Sequence, residues 1–347
     1  MIIAFCLQKL NPDDREFIFE FISTVVKQHP ENNFLFFTDQ CPDTEFLSSS
    51  NSQWFVSKKT SGGILNRYLE KKKISGILKK SKADVFVSFD DNFSHILSIL
   101  HCLVLLRLEK IKSKDLKRAT TIIVRTEAEK SKVLRQFNLT KEKVDVCSAF
   151  VEKKYTPVNQ EEKEKVKLFY SNGKEYFLFS GVKQKHEDVT KVLKAFSLFK
   201  KRQQSSMQLL IQSTTAEFYK KDLASYKYRN DVKIISDWQK MELITASAYV
   251  VLLPFNKEDS VNLALRAIQC RVPVITFNDP VIKEITGESA SYTEIVNPKD
   301  LSEQMMRLYT NEGLRMQLSE KAKSIAENFN SEKMAGLIWE SITKALK

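Results

Sequence analysis

Histidine is scarce in this chain, with four in 347 residues, and none of His29, His95, His101 and His186 stands at metal-ligand spacing from another. That argues against a structural zinc site. The five cysteines, Cys6, Cys41, Cys102, Cys147 and Cys270, are scattered without a C-x-x-C pair. They give no disulfide framework and read as buried thiols of a reducing compartment. Long hydrophobic runs are also missing. The longest, Ile96 to Leu108, is broken by Ser98, His101 and Arg107 and falls short of the ~20 residues that cross a bilayer. The first residues, Met1-Ile-Ile-Ala-Phe-Cys-Leu, have no positive charge before the apolar stretch, so no secretory leader is expected. No internal repeat at a period of roughly 20–50 residues is visible, which argues against a solenoid.

What is present is an ordinary globular composition, 42% hydrophobic and 28% charged, in a chain long enough for two domains. The net charge is +12, so the distribution of the basic residues matters. From Lys58 to Lys82 eight lysines and one arginine stand against Glu70 alone. Within that block Leu65, Leu69, Ile74, Ile77 and Leu78 have helical spacing, which predicts a core-packed helix with a lysine-rich outer face. A solvated face is the plain expectation, and peripheral contact with an anionic membrane surface is the second. No aromatic interleaving or nucleic-acid motif accompanies the charge, so no nucleic-acid partner is expected.

Along the chain, apolar strands alternate with amphipathic helices. Strands are predicted at Met1–Leu7, Asn33–Thr38, Gln53–Ser57, Asp84–Phe89, Cys102–Leu108, Thr121–Val124 and Val144–Cys147. Helices are predicted at Asp13–Lys27, Gly63–Lys80 and Glu127–Gln136. Residues 156–172 are rich in Lys, Glu and Asn and are taken as a linker. The rhythm restarts with strands at Tyr176–Ser180, Gln208–Gln212, Val232–Ile235, Tyr249–Leu253 and Val272–Phe277. Helices at Asp188–Lys201, Ala216–Tyr226, Lys240–Ala246 and Ser260–Cys270 separate them, and three more follow at Lys299–Tyr309, Glu312–Asn328 and Ser331–Leu346. Buried strands alternating with helices mean parallel sheets covered on both faces. The expected fold class is α/β with two doubly wound sheets: residues 1–155, then 173–330, with 331–347 as a helix crossing back to the first domain.

One stretch carries a resemblance. Tyr249-Val-Val-Leu-Leu-Pro-Phe-Asn-Lys-Glu258, the helix from Ser260 and the strand Val272-Pro-Val-Ile-Thr resemble the donor-sugar motif of family-4 glycosyltransferases. Thr120-Thr-Ile-Ile-Val-Arg-Thr-Glu, Val146 to Pro157, Phe177-Leu-Phe-Ser-Gly181 and Asp237-Trp238 are similar to that family in the same register. The resemblance covers roughly Thr120 to the C-terminus. It implies a GT-B fold, two Rossmann-like domains facing across a cleft. The implied activity is retaining transfer from a nucleotide-diphosphate sugar to a polysaccharide or glycolipid acceptor, without a metal or other cofactor, in the cytoplasm or peripheral to the inner membrane face.

The same motif sets the candidate donor-binding residues: Gly181, Lys183, Lys185, Glu258, Ser260 and Arg266. Donor chemistry needs cations for the pyrophosphate, backbone N–H groups at a helix N-terminus, and carboxylates for hydroxyls. Glu258 is the one retained motif acid, and the catalytic residue is left unassigned. The family's second acid is replaced by Arg266, its loop glycines by Asp259 and Val261, and its two phosphate cations by Val182 and Glu187. The loop Gln8-Lys-Leu-Asn-Pro-Asp-Asp after the first strand has no glycine. The family's reaction-centre His-Asp becomes Leu106-Arg107. Neither His95 nor His101 takes that place, and packing is the expected role of both. These departures imply an alternative, a non-catalytic homologue serving as a binding or regulatory subunit in glycan assembly.

Overall fold

The computed structural model describes residues 1–8, 10, 12–39, 50–57, 64–89, 99–105, 113–147, 152–180, 185–213, 223–236, 240–255, 260–293, 297–329 and 331–346. The chain divides into two compact units, Met1–Phe150 with Asn330–Lys347, and Val151–Phe329.

In unit 1 the strands are β1 (Ile2–Leu7), β2 (Asn33–Thr38), β3 (Ser52–Val56), β4 (Val85–Ser88), β5 (Leu100–Val104), β6 (Thr121–Val124) and β7 (Val144–Val146). They form one sheet in the order β3-β2-β1-β4-β5-β6-β7, with every pair parallel. The period-2 pattern sorts the strand residues between two cores. Ile3, Phe5 and Leu7 pack with Phe34 and Phe36 against α1 (Pro12–Gln28) through Ile18, Phe21 and Val25. Ala4, Cys6, Leu35 and Phe37 face the other way, onto Ile74 and Leu78 of α2 (Ile64–Lys80). Each large side chain so buried contributes about 1.5–3 kcal/mol.

The apolar spacing read along α2 holds in part. Ile74 and Leu78 are buried and Ile77 is partly buried in that core, whereas Leu69 is 52% exposed. Leu69 lies one helical turn before the exposed Lys72 and Lys73 and therefore shares their face.

Helix α3 (Ser113–Arg118) precedes β6, and α4 (Glu127–Phe137) follows it. The start of α4 is held by two side-chain caps. Thr126 accepts from the Glu129 amide at 3.0 Å, and Glu129 accepts from the Arg125 amide at 2.9 Å. The C-terminal helix Ser331–Ala345 closes unit 1 by placing Met334, Ala335, Ile338 and Ile342 in the α1 core. Its Trp339 stacks on His29 with ring centroids 3.6 Å apart. Lys344 reaches the Asp145 carboxylate at 2.7 Å.

Unit 2 opens with α5 (Gln160–Ser171), which occupies the stretch expected to be a linker. Its charges are helix pairs rather than linker charges: Lys165 meets Glu161 at 2.5 Å one turn away. Val166 and Tyr170, spaced i,i+4, form its buried stripe. Asn159 caps the first turn, and the chain leaves the helix through Asn172 and Gly173, both left-handed.

The strands β8 (Tyr176–Ser180), β9 (Gln208–Gln212), β10 (Val232–Ile235), β11 (Val250–Leu253), β12 (Val274–Phe277) and β13 (Ala290–Thr293) make a second sheet. Their order is β10-β9-β8-β11-β12-β13, again all parallel. Helix α6 (His186–Gln203) packs Val189, Val192, Phe196 and Phe199 onto Phe177, Leu209 and Ile211. β13 and the helix Pro280–Thr286 are additions to the sequence expectation. The helix expected over Ala216–Tyr226 lies mostly outside the described residues. These are the two doubly wound, Rossmann-like parallel sheets of the expected fold class.

Candidate active site

In an open parallel sheet, ligands bind beyond the carboxyl ends of the strands where the strand order reverses. In unit 2 that point lies between β8 and β11. The helices that follow these strands are α6 and Ser260–Gln269, so Lys185 and Ser260 are brought to this end of the sheet.

Ser260 is the first residue of its helix and is buried. Its Oγ donates to the Phe255 carbonyl at 2.9 Å, tying the helix start to the loop that leaves β11. Val261, Ala264, Leu265 and Ile268 form the buried face of this helix.

Arg266 lies on the other side, and its charge is engaged within unit 2. Its guanidinium meets the Glu152 carboxylate through two bonds, Nη2 to Oε1 at 2.5 Å and Nε to Oε2 at 3.3 Å. It also lies 4.9 Å from the Tyr155 ring centre. Glu152 and Tyr155 are each 5% exposed. Burial pushes the Tyr155 hydroxyl pKa upward, with the Arg266 charge opposing it. The position where the sequence resemblance expects a second acid therefore holds an internal, bidentate ion pair. Sequence reasoning missed Glu152 and Tyr155. The available signal was an opposite charge and an aromatic in the hinge segment, reading Val151-Glu-Lys-Lys-Tyr155.

Lys185 is exposed and forms the N-cap of α6 through its backbone, with no side-chain cap bond. The first turn behind it is acidic. Glu187 pairs with Lys191 at 2.7 Å, and this hydrogen bond and charge hold its carboxyl below the usual range. Acidic side chains there complement the helix dipole and leave Lys185 as the cation at the mouth of this turn among the described residues. Gly181, Lys183 and Glu258 lie outside the described residues, as do Val182 and Asp259.

In unit 1 the order reverses between β1 and β4, whose carboxyl ends carry Gln8 and Ser88. Ser88 Oγ and His101 Nε2 are 2.8 Å apart and buried. The His101 ring lies 5.6 Å from Phe86, which makes it a packed strand residue of β5. Leu106, Arg107 and His95 are outside the described residues. Among the described residues no cluster of His, Cys, Asp or Glu could hold a metal ion, and no helix is long and apolar enough to cross a membrane.

The family model described as glycosyl transferases group 1 matches residues 160–325, which lie within unit 2. A solved glycosyltransferase from Rickettsia africae ESF-5 superimposes with a TM-score of 0.81 at 14% identity, covering 100% of this chain and 98% of that one. The fold is GT-B. WaaG, a glycosyltransferase involved in lipopolysaccharide biosynthesis, matches with a TM-score of 0.74 at 16% identity, over 98% of this chain and 99% of its own. Anabaena Alr3699/HepE in complex with UDP-glucose gives the same GT-B likeness, with a TM-score of 0.74 at 14% identity over 99% of both chains. No curated protein matches this sequence. In this GT-B chain, the group 1 match spans both helices that start at the unit 2 switch point.

Proposed function

We propose that this protein is a glycosyltransferase of the family-4 type, transferring a sugar with retention from a nucleotide-diphosphate sugar to a polysaccharide or glycolipid acceptor. The observation that carries the reading is the coincidence of the group 1 match, residues 160–325, with a switch point flanked by Lys185 and the Ser260 helix. The UDP-glucose complex of the Anabaena protein supports a nucleotide sugar as donor, and the lipopolysaccharide role of WaaG supports a glycan acceptor. In this reading Lys183 and Lys185 carry the pyrophosphate charge and the amides after Ser260 face a phosphate oxygen. Glu258 accepts from sugar hydroxyls. No metal is required, because lysine and helix dipole supply the positive field.

The protein acts in the cytoplasm, peripheral to the inner membrane face. Lys72, Lys73, Lys79 and Lys80 are exposed along α2, and the half-exposed Leu69 stands on the same face. Each such lysine contributes ~1 kcal/mol of attraction to an anionic leaflet.

A specific observation favours a second reading, a non-catalytic binding or regulatory subunit of a glycan assembly pathway. The Arg266–Glu152 pair occupies the place of the family's ribose-binding acid with an internal contact. A thermal-shift series with UDP, GDP, ADP and their sugars separates the two. Ligand at ~100 times its dissociation constant adds ~2.7 kcal/mol, a rise of several degrees at most. No rise with any nucleotide at millimolar concentration would sink the transferase reading in favour of the second. A rise unchanged by Lys183→Ala with Lys185→Ala would refute the assigned phosphate contacts.

A further inference from the structure

The apolar side chains of α5 divide between two faces. Val166 and Tyr170 are buried in unit 2, whereas the neighbours Leu168 and Phe169 are 71% and 73% exposed. They are the most exposed large apolar side chains among the described residues, and the only two of these that are adjacent in sequence. The Phe169 ring meets Tyr170 edge-on with centroids 4.8 Å apart, and Lys240 Nζ lies 5.8 Å from its centre. Glu161, Lys165, Leu168 and Asn172, each about one turn from the next, are all exposed and share that face.

Opposite charges mark the two ends of this face. Glu161, Glu162 and Glu164 are exposed at its start, a local concentration of acid in a chain of net charge +12. At the far end Lys233 Nζ donates to the Asn172 side-chain oxygen at 2.8 Å, and Lys240 stands beside Phe169. A surface acidic at one end, basic at the other and apolar between is complementary to its own copy turned end for end, as an isologous two-fold contact requires. An occupant of one charge sign would match one end only, and an anionic membrane would be repelled by the glutamates. With the two-fold axis level with residue 167, Lys165 stands opposite the partner's Phe169, a cation over an aromatic face. Glu162 then stands opposite the partner's Asn172, beside which the partner's Lys233 lies.

We propose that α5 is the contact of a homodimer, in which two copies of this chain join through antiparallel α5 helices. Leu168 and Phe169 form its centre, and Glu162 pairs with Lys233 of the other copy at its rim. The proposal is independent of the transferase reading, because none of these residues belongs to the candidate active site.

The test is sedimentation equilibrium of the full chain over a range of concentrations. The wild type should rise from its monomer mass to twice that value. Leu168→Glu and Phe169→Glu, both at exposed positions, should each weaken the dimer about tenfold or more by setting a charge in its apolar centre. Glu162→Lys should also weaken it, and adding Lys233→Glu should restore it, which distinguishes α5 from a contact elsewhere. Far-UV circular dichroism checks that each variant is folded. A wild type monomeric at every concentration would overturn the proposal. So would a dimer unmoved by Leu168→Glu and Phe169→Glu, or one that Lys233→Glu does not rescue. A monomer that floats with vesicles of anionic lipid, and ceases to in Leu168→Glu, would give this face to a membrane instead.

Discussion

Arg266 and Glu152 meet side-on, with Nη2 to Oε1 at 2.5 Å and Nε to Oε2 at 3.3 Å, over the face of Tyr155. Breaking such a pair from one side leaves a buried charge without its partner, which costs more than the pair contributes. Arg266→Ala should therefore lower the stability of unit 2 by on the order of 3 kcal/mol. Arg266→Glu should cost more by setting two carboxylates together. A double-mutant cycle with Glu152→Gln in urea should return a coupling of about 0.5–3 kcal/mol. Additive effects would show that the contact carries no weight.

The end of α5 yields a prediction that depends on backbone alone. Gly173 has φ +75°, and a Cβ there would meet nothing within 4 Å. Gly173→Ala should cost about 1 kcal/mol through the left-handed conformation. A neutral result in chemical denaturation would mean that the segment takes another backbone path.

The buried thiols set a pH dependence. Burial pushes Cys102, Cys147 and Cys270 from 9.0 up to about 12. The unfolded chain therefore loses these protons first as pH rises past 9, so their contribution to stability is full below that value and is lost towards pH 12. Alkaline titration of the melting temperature should show that decline, and Cys147→Ala should flatten it. At pH 8 a thiol-disulfide reagent should leave all three unmodified until the protein unfolds.

The terminal helix is held by His29 against Trp339 and by Lys344 on Asp145. Trp339→Ala should cost about 2–3 kcal/mol, less than full burial of a tryptophan would give, and should raise hydrogen exchange in residues 331–345 before the rest of unit 1. Exchange rising uniformly would instead mean that this helix opens with the whole unit.

Most of the architecture could be read from the chain because parallel strands buried on both faces are nearly continuous apolar runs, as in Tyr176–Ser180 and Val250–Leu253. The elements missed are those whose stabilisation is not local. β13 reads Ala-Ser-Tyr-Thr and gains strand identity from pairing with β12. α5 looks like a linker by composition, and its stripe is narrow, with Val166 and Tyr170 as its apolar members. Leu69 fitted the spacing of a core residue, but spacing does not say how far along the helix the sheet extends. At the candidate site, what could be read was local, as with the helix start at Ser260. The partners of Arg266 and Gln8 come from segments 114 and 49 positions away, and no period or motif links such distances.

The C-terminal helix has a consequence for how the protein is made. Its Met334, Ala335, Ile338 and Ile342 complete the core around Phe5 and Phe21, yet the whole of unit 2 is encoded before them. A growing chain thus displays the apolar faces of α1 and β1 through the synthesis of a complete second domain, since domains fold as units in order of emergence. Unit 2, continuous in sequence, has all of its strands and helices by Phe329, before the helix that closes unit 1 is made. The core of β1 and α1 is therefore sealed only by residues made after the whole of unit 2, and truncation at Phe329 leaves that core open.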